Sequence, residues 1–197
     1  MTLIKLAPTA VLFEGWDGAG KSTLARMLAE QTDGLYFPTP PGVLGKEIRE
    51  YHDTETSAET RYMFYLLGNL HASDEIRRLR GRRTIVVDRY IHTTVATNRF
   101  AGVELCFDPY ELGYERPDYS FFMYVSDEAE RLSRIAERGK KTKFDELMEN
   151  TAYRTAYTEY FKQTGEFHFI DTASKSPEES LQEIIEILQI QGGGVHG

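Results

Sequence analysis

The chain has 197 residues, 41% of them hydrophobic, with 31 acidic and 23 basic side chains and a net charge of −8. That length suits one α/β domain with a real core, and the acidic balance argues against a general nucleic-acid or anionic-membrane binder. A single cysteine, Cys106, excludes an internal disulfide; no apolar run nears the roughly 20 residues of a membrane helix, and Met1 to Leu6 is too short for a secretory signal, so a cytoplasmic protein is expected.

The first expected element is a strand over about residues 9–14, carried by the apolar run Thr9-Ala10-Val11-Leu12-Phe13. It leads into Gly15-Trp16-Asp17-Gly18-Ala19-Gly20-Lys21-Ser22, which fits G-x-x-x-x-G-K-[ST]. A helix over about 21–32 follows, with Leu24, Met27 and Leu28 on one face. Strand, glycine loop and helix start together make an anion cradle. The glycines let backbone N–H groups approach phosphate closely, and the aligned helix dipoles add about half a positive charge. Lys21 is placed to reach β- and γ-phosphates and the Ser22 hydroxyl to ligate Mg²⁺; Gly15, Gly18, Ala19, Gly20 and Thr23 complete the cradle.

Leu35-Tyr36-Phe37 is a short second strand stopped by Pro38, Pro40 and Pro41, and Gly45 to Tyr51 can form a short helix. Thr56-Ser57-Ala58-Glu59 fits a capping box that opens a long helix carrying Met63, Phe64, Leu66, Leu67, Leu70, Ile76 and Leu79. The arginines from Arg77 to Arg83 suit a solvated helix end, broken at Gly81. Thr84 to Asp88 is a buried strand ending in a carboxylate. Ligands of doubly wound sheets sit beyond the carboxyl ends of the strands, which puts Asp88 and Arg89 beside the glycine loop. The alternative is that Asp88 caps a helix and Arg89 is a surface charge.

Residues 90–100 look helical and 107–110 loop-like; a fourth strand spans 118–125, and Ser126 is expected to cap a helix to about Arg138. A flexible basic stretch, 139–143, precedes one helix over about 145–163. The fifth strand, Phe167 to Ile170, ends at Asp171; Pro177 opens the last helix, and a disordered tail is expected over 191–197. Strands alternating with helices mean a parallel sheet with right-handed crossovers, in one layered α/β/α domain spanning 1–197.

At this point the motifs resemble a known family. Phe13 to Thr23 is similar to the P-loop of thymidylate kinases, Asp88-Arg89-Tyr90 to that family's Asp-Arg-Tyr, and Arg116-Pro117-Asp118 to its Arg-Pro-Asp; Phe64 and His71 keep the family's spacing. The resemblance implies the nucleoside-monophosphate-kinase fold, a five-stranded parallel sheet of order 2-3-1-4-5 with a short lid at about 138–145. It implies phosphoryl transfer from ATP, with Mg²⁺, to a small nucleotide, most readily dTMP, with no nucleic-acid or membrane partner; a homodimer is one assembly left open. Residue by residue, it gives Lys21 the donor phosphates, Ser22 the metal and Asp88 a metal-bound water. It gives Asp17 the acceptor sugar, Arg89 the acceptor phosphate and Phe64 the acceptor base. Arg134, Arg138, Lys140, Lys141 and Lys143 would supply lid charge.

One loop and three single positions depart from the family. The loop after the second strand, Phe37-Pro38-Thr39-Pro40-Pro41-Gly42, lacks the family's arginine, Gly68 replaces the end of an Ala-Asp-Arg, and Thr94 and Thr97 stand near a base-reading Asn or Ser and a sugar-stacking Tyr. Arg89 is then the candidate clamp on the acceptor phosphate, and a raised acceptor KM is expected. Two alternatives stay open: a kinase of another acceptor, such as a deoxynucleoside, and a regulatory nucleotide-binding P-loop protein.

Overall fold

Four of the five β-strands fall where short apolar runs end in glycine, proline or a carboxylate; the fourth ends at Tyr124. In the computed structural model, which describes residues 4, 6–103, 109–139 and 141–192, the five are β1 (Ala10–Gly15), β2 (Leu35–Pro38), β3 (Ile85–Asp88), β4 (Tyr119–Tyr124) and β5 (His168–Asp171). They form one sheet of order β2-β3-β1-β4-β5 in which every pair is parallel. That is the expected order.

Register decides what the sheet presents at its carboxyl edge. Phe13 of β1 pairs with Asp88 of β3 and Phe121 of β4, so the chain leaves β1 and β3 at neighbouring points on the same edge. The loop after Gly15 and the turn at Asp88-Arg89 are therefore adjacent, as doubly wound sheets require of a ligand site.

The strand period of two sends alternate β1 side chains to opposite faces. Val11 and Phe13 join a core with Leu24, Leu28, Ile184 and Leu188, from helices α1 (Lys21–Gln31) and α8 (Pro177–Gly192). Ala10 and Leu12 join Leu66, Ile76 and Ile91 from α3 (Ala58–Leu79) and α4 (Ile91–Phe100). A third cluster, around Phe122, Met148, Tyr157 and Phe161, packs α6 (Lys143–Glu149) and α7 (Thr151–Thr164) beside that face.

Element ends correct several sequence expectations. Helix α2 runs Lys46–Glu55, longer than the stretch from Gly45 to Tyr51. Ser57, not Thr56, caps α3: its hydroxyl accepts from the Thr60 amide at 3.2 Å. Asp127, not Ser126, caps α5 (Glu128–Glu137), accepting from the Ala129 and Glu130 amides. In both pairs two adjacent side chains can cap, and the one that reaches the second or third amide wins. The single helix expected over 145–163 is two. Asn150 ends α6 and caps α7, accepting from Tyr153, and α6 has a capping box of its own between Thr142 and Asp145. Gln191 and Gly192, expected in a disordered tail, continue α8. Residues 193–197, Lys140 and Cys106 lie outside the described residues; the loop expected over 107–110 is described only from Pro109, where a 3₁₀ turn runs to Leu112.

Candidate active site

The loop between β1 and α1 is shaped by close packing. Gly15 sits at φ 127°, and a Cβ there would lie 1.9 Å from the Met123 carbonyl oxygen, so a side chain is excluded. Gly18, at φ 86°, lies against the backbone and side chain of Arg131 on α5. The loop is thereby held between β4 and α5 and delivers its amides to the start of α1.

A cavity of about 690 Å³ opens over this loop. Asp17, Gly18, Ala19, Gly20, Lys21, Ser22 and Thr23 line it together with Arg89, Arg134, Arg138, Thr172 and Lys175, and the Thr172 hydroxyl donates to the Ala19 carbonyl at 3.4 Å. Of the residues proposed for the donor phosphates and the metal, all but Gly15 and Asp88 line this space, as do Arg134, Arg138, and the residues proposed for the acceptor, Asp17 and Arg89.

Charges converge on Asp17. The Lys21 ammonium donates to the Trp16 carbonyl at 2.5 Å and to Asp17 Oδ1 at 3.4 Å, and the Arg89 guanidinium makes a short ion pair with the same carboxylate oxygen. Burial pushes the Asp17 carboxyl up, but Arg89, Lys21 and Arg138 outweigh it and hold it well below the usual carboxylate range. Burial and the Arg89 charge push Lys21 down to about 8, against the pull of Asp17, Asp88 and Glu14. Arg89 has φ 65°; it also donates to the Gly15 carbonyl at 3.3 Å and to Thr93 Oγ1 at 3.2 Å, and its guanidinium lies 4.8 Å from the Phe144 ring centre. A cation held on four sides is fixed before any ligand arrives.

Asp88 is buried and accepts from the Tyr36 hydroxyl at 2.8 Å. It caps no helix; α4 begins after Tyr90 without a side-chain cap. Burial, with the Asp88 charge beside it, pushes the Tyr36 phenol up to about 12, so it remains a donor at neutral pH. Ser22 also acts on the same phenol, so the Ser22 hydroxyl and the Asp88 carboxylate both lie beside Tyr36. One hydroxyl and one carboxylate suit Mg²⁺, which keeps water and substrate phosphates as most of its ligands.

Opposite the loop, Arg134 donates to Thr172 Oγ1 at 3.0 Å and to the Thr172 carbonyl at 2.7 Å, and pairs with Glu130. Arg138 pairs with Asp145, the carboxylate of the α6 capping box, and Lys141 pairs with Glu149 at 2.9 Å. The side chain of Lys143 lies outside the described residues.

The remaining acceptor candidates lie away from the cavity lining. Phe64 is buried on α3, its ring stacked on His52 of α2 with centroids 4.4 Å apart and planes 16° off parallel. Gly68, one turn on, faces Pro40: a Cβ there would come within 3.0 Å of the proline Cβ. The loop after β2 thus comes close to α3 at this glycine. Thr94 is buried and accepts from Asn69 Nδ2 at 2.8 Å, while the Thr97 hydroxyl donates to the Thr93 carbonyl in its own helix.

Sequence reasoning missed a buried polar cluster behind Arg89. Glu14, fully buried in β1, accepts from the Tyr90 amide at 2.9 Å, the Thr93 amide at 3.2 Å and the Thr93 hydroxyl, while Thr93 Oγ1 lies 2.8 Å from the Tyr157 hydroxyl on α7. Burial raises the Glu14 carboxyl against the opposing effects of Arg89 and Thr93. The signal was a carboxylate inside an otherwise apolar strand. Glu14→Ala removes the acceptor of the Tyr90 and Thr93 amides, while the Thr93 hydroxyl keeps Tyr157 and Arg89, and is expected to lower the unfolding free energy by about 3 kcal/mol in urea titrations.

The sequence model of the family described as thymidylate kinase matches residues 13–184. A probable thymidylate kinase of Methanocaldococcus jannaschii is 31% identical over 188 residues, covering 91% of this chain and 95% of that protein. The thymidylate kinase of Mycoplasma mobile is 28% identical, covering 77% of this chain and 81% of its own. Among solved structures, the thymidylate kinase of Candida albicans superposes with a TM-score of 0.69 at 19% identity, covering 95% and 94% of the two chains. The deoxyadenosine kinase of M. mycoides superposes at 0.63 and 18%, covering 91% and 99%. These two likenesses are of fold.

Proposed function

This chain belongs to the thymidylate kinase family, and from that premise we propose that it transfers the γ-phosphoryl group of ATP to dTMP, giving ADP and dTDP. The observation that carries the reading is the convergence of Lys21 and Arg89 on Asp17 at the cavity floor. A donor-side cation and an acceptor-side cation stand within hydrogen-bond reach of one carboxylate. Positive charge from both sides of the reaction thus meets at one point, which supports phosphoryl transfer between two bound phosphates.

In the proposed mechanism the loop amides and Lys21 hold the donor phosphates. Arg89 clamps the acceptor phosphate, and Asp17 turns from its ion pairs to the acceptor sugar hydroxyl. An acceptor phosphate oxygen forms the new P–O bond as the bond from the γ-phosphorus to its bridging oxygen breaks; ADP leaves with that electron pair. Arg134, near the end of α5, and Arg138, at the start of the lid over about 138–145, add positive charge where negative charge develops in the transition state. Ser22 and Asp88 would hold Mg²⁺, Asp88 through a bound water, and the ion would supply neutralising charge to the donor phosphates.

The whole chain acts as one kinase domain on a small nucleotide, and the described residues contain no helix long and apolar enough to cross a membrane. A cytoplasmic location fits a reaction that consumes ATP. Met63, Leu67 and Leu70 form an exposed apolar stripe on α3, which supports pairing with a second copy of the chain.

The reading is tested by offering nucleoside monophosphates and nucleosides in parallel with ATP and Mg²⁺ and following ADP release. dTMP is expected to be the preferred acceptor, with a KM raised by the missing loop arginine. Asp17→Asn is expected to raise the dTMP KM about tenfold with a smaller change in kcat, as loss of one charged hydrogen bond predicts. A preferred nucleoside acceptor would overturn the assignment.

A further inference from the structure

Tyr36 belongs to no motif, yet its position is set by three elements at once. It lies on β2 beside Val86 of β3, so its side chain emerges on the face that carries α1. Ser22 and Arg26 are one turn apart on α1 and both meet it. The Arg26 guanidinium lies 4.6 Å from the ring centre, and the Ser22 side chain interacts with the phenol. The ring is thus held flat beneath a cation while its hydroxyl reaches past the end of β3 to Asp88 Oδ2 at 2.8 Å. Among the described residues this is the one hydrogen bond made to the Asp88 carboxylate, and Oδ1 takes none.

We propose that Tyr36 is a positioning residue for the metal edge of the site: its phenol pins one oxygen of Asp88, fixing the carboxylate so that the other is presented to a Mg²⁺-bound water beside Ser22. The proposal rests on the reading of Ser22 and Asp88 given above. The physical reason is the one that governs the outer partners of metal ligands. A carboxylate on a short side chain rotates freely unless an outer hydrogen bond fixes it, and loss of such a bond weakens metal binding about tenfold or more. A phenol suits the task because it donates without adding charge beside the cation. The Arg26 contact keeps the ring from rotating away.

The test uses the full chain and Tyr36→Phe, which keeps the ring and its packing and removes the one donor. Calorimetric titration with ADP in EDTA should give the parent affinity within about twofold, since no phosphate contact is lost. With Mg²⁺ present, ADP should bind about tenfold more weakly than to the parent, and half-maximal velocity should need about tenfold more Mg²⁺. A Mg²⁺ dependence that superimposes on the parent would overturn the proposal. So would an equal loss of ADP affinity with and without Mg²⁺, which is what a merely structural ring would give. Asp88→Asn, titrated alongside, separates the two levels. A normal Mg²⁺ dependence in Asp88→Asn removes Asp88 from the metal edge. A defect there beside a normal Tyr36→Phe removes Tyr36 alone.

Discussion

Lys21→Ala is expected to lower the rate of phosphoryl transfer at least about 10³-fold, because the variant removes the one ammonium positioned in the glycine loop for the donor β- and γ-phosphates. The fold survives. Lys21 is buried and depressed from 10.5 to about 8, so holding it charged works against folding rather than for it. Between pH 8 and 10.5 the unfolded chain binds more of this proton than the folded one, so stability attributable to Lys21 rises with pH through that window. Below pH 8 the full cost is present. Lys21→Ala should therefore be at least as stable as the parent at pH 7, and that advantage should shrink by pH 10. Arg89 still balances Asp17 in the variant. In the parent, donor affinity should fall as pH rises past about 8 and the ammonium is lost; in Lys21→Arg that fall should disappear. Paired measurements of unfolding and of ADP binding across pH check both statements. Unchanged turnover in Lys21→Ala would remove the loop from the reaction.

Arg89→Met is expected to cost both activity and stability. Two charge-assisted bonds to an acceptor phosphate, at about 1.5 kcal/mol or more each, amount to roughly 100-fold or more in kcat/KM for dTMP. Donor binding should stay near the parent value because Lys21 and the loop amides are untouched. Stability should fall by about 3 kcal/mol, as when one partner of a buried ion pair is removed. Asp17 would keep the 3.4 Å contact with Lys21 and the more distant charge of Arg138, and Glu14 would lose the guanidinium 4.0 Å from it. Acceptor-variable kinetics and urea unfolding on the same preparation separate the two losses. An unaltered dTMP kcat/KM would place the acceptor phosphate elsewhere.

What the sequence made legible is what is local along the chain. The glycine loop, its strand and its helix are contiguous, and one rule about carboxyl edges put Asp88 and Arg89 beside them. What it hid depends on register and on packing between distant segments. Tyr36 and Asp88 are 52 positions apart and meet only because β2 pairs with β3 as it does. Thr93 and Tyr157 are 64 apart and meet across α4 and α7. Gly68 is a departure from the family pattern in the sequence; in the fold it is the position where Pro40 comes close to α3, so that a Cβ would lie 3.0 Å from the proline ring. The break at Asn150 had no glycine or proline to announce it, only a side chain able to end one helix and start the next.

The central claim is that this cavity moves the terminal phosphoryl group of ATP onto dTMP. It is tested by incubating the purified chain with ATP labelled in the γ-phosphate, Mg²⁺ and either dTMP or thymidine, then separating the products. The account predicts label in dTDP, matched mole for mole by ADP, none with thymidine and none in either reaction with Lys21→Ala. Label in thymidine monophosphate, or ADP formed without labelled dTDP, would contradict it.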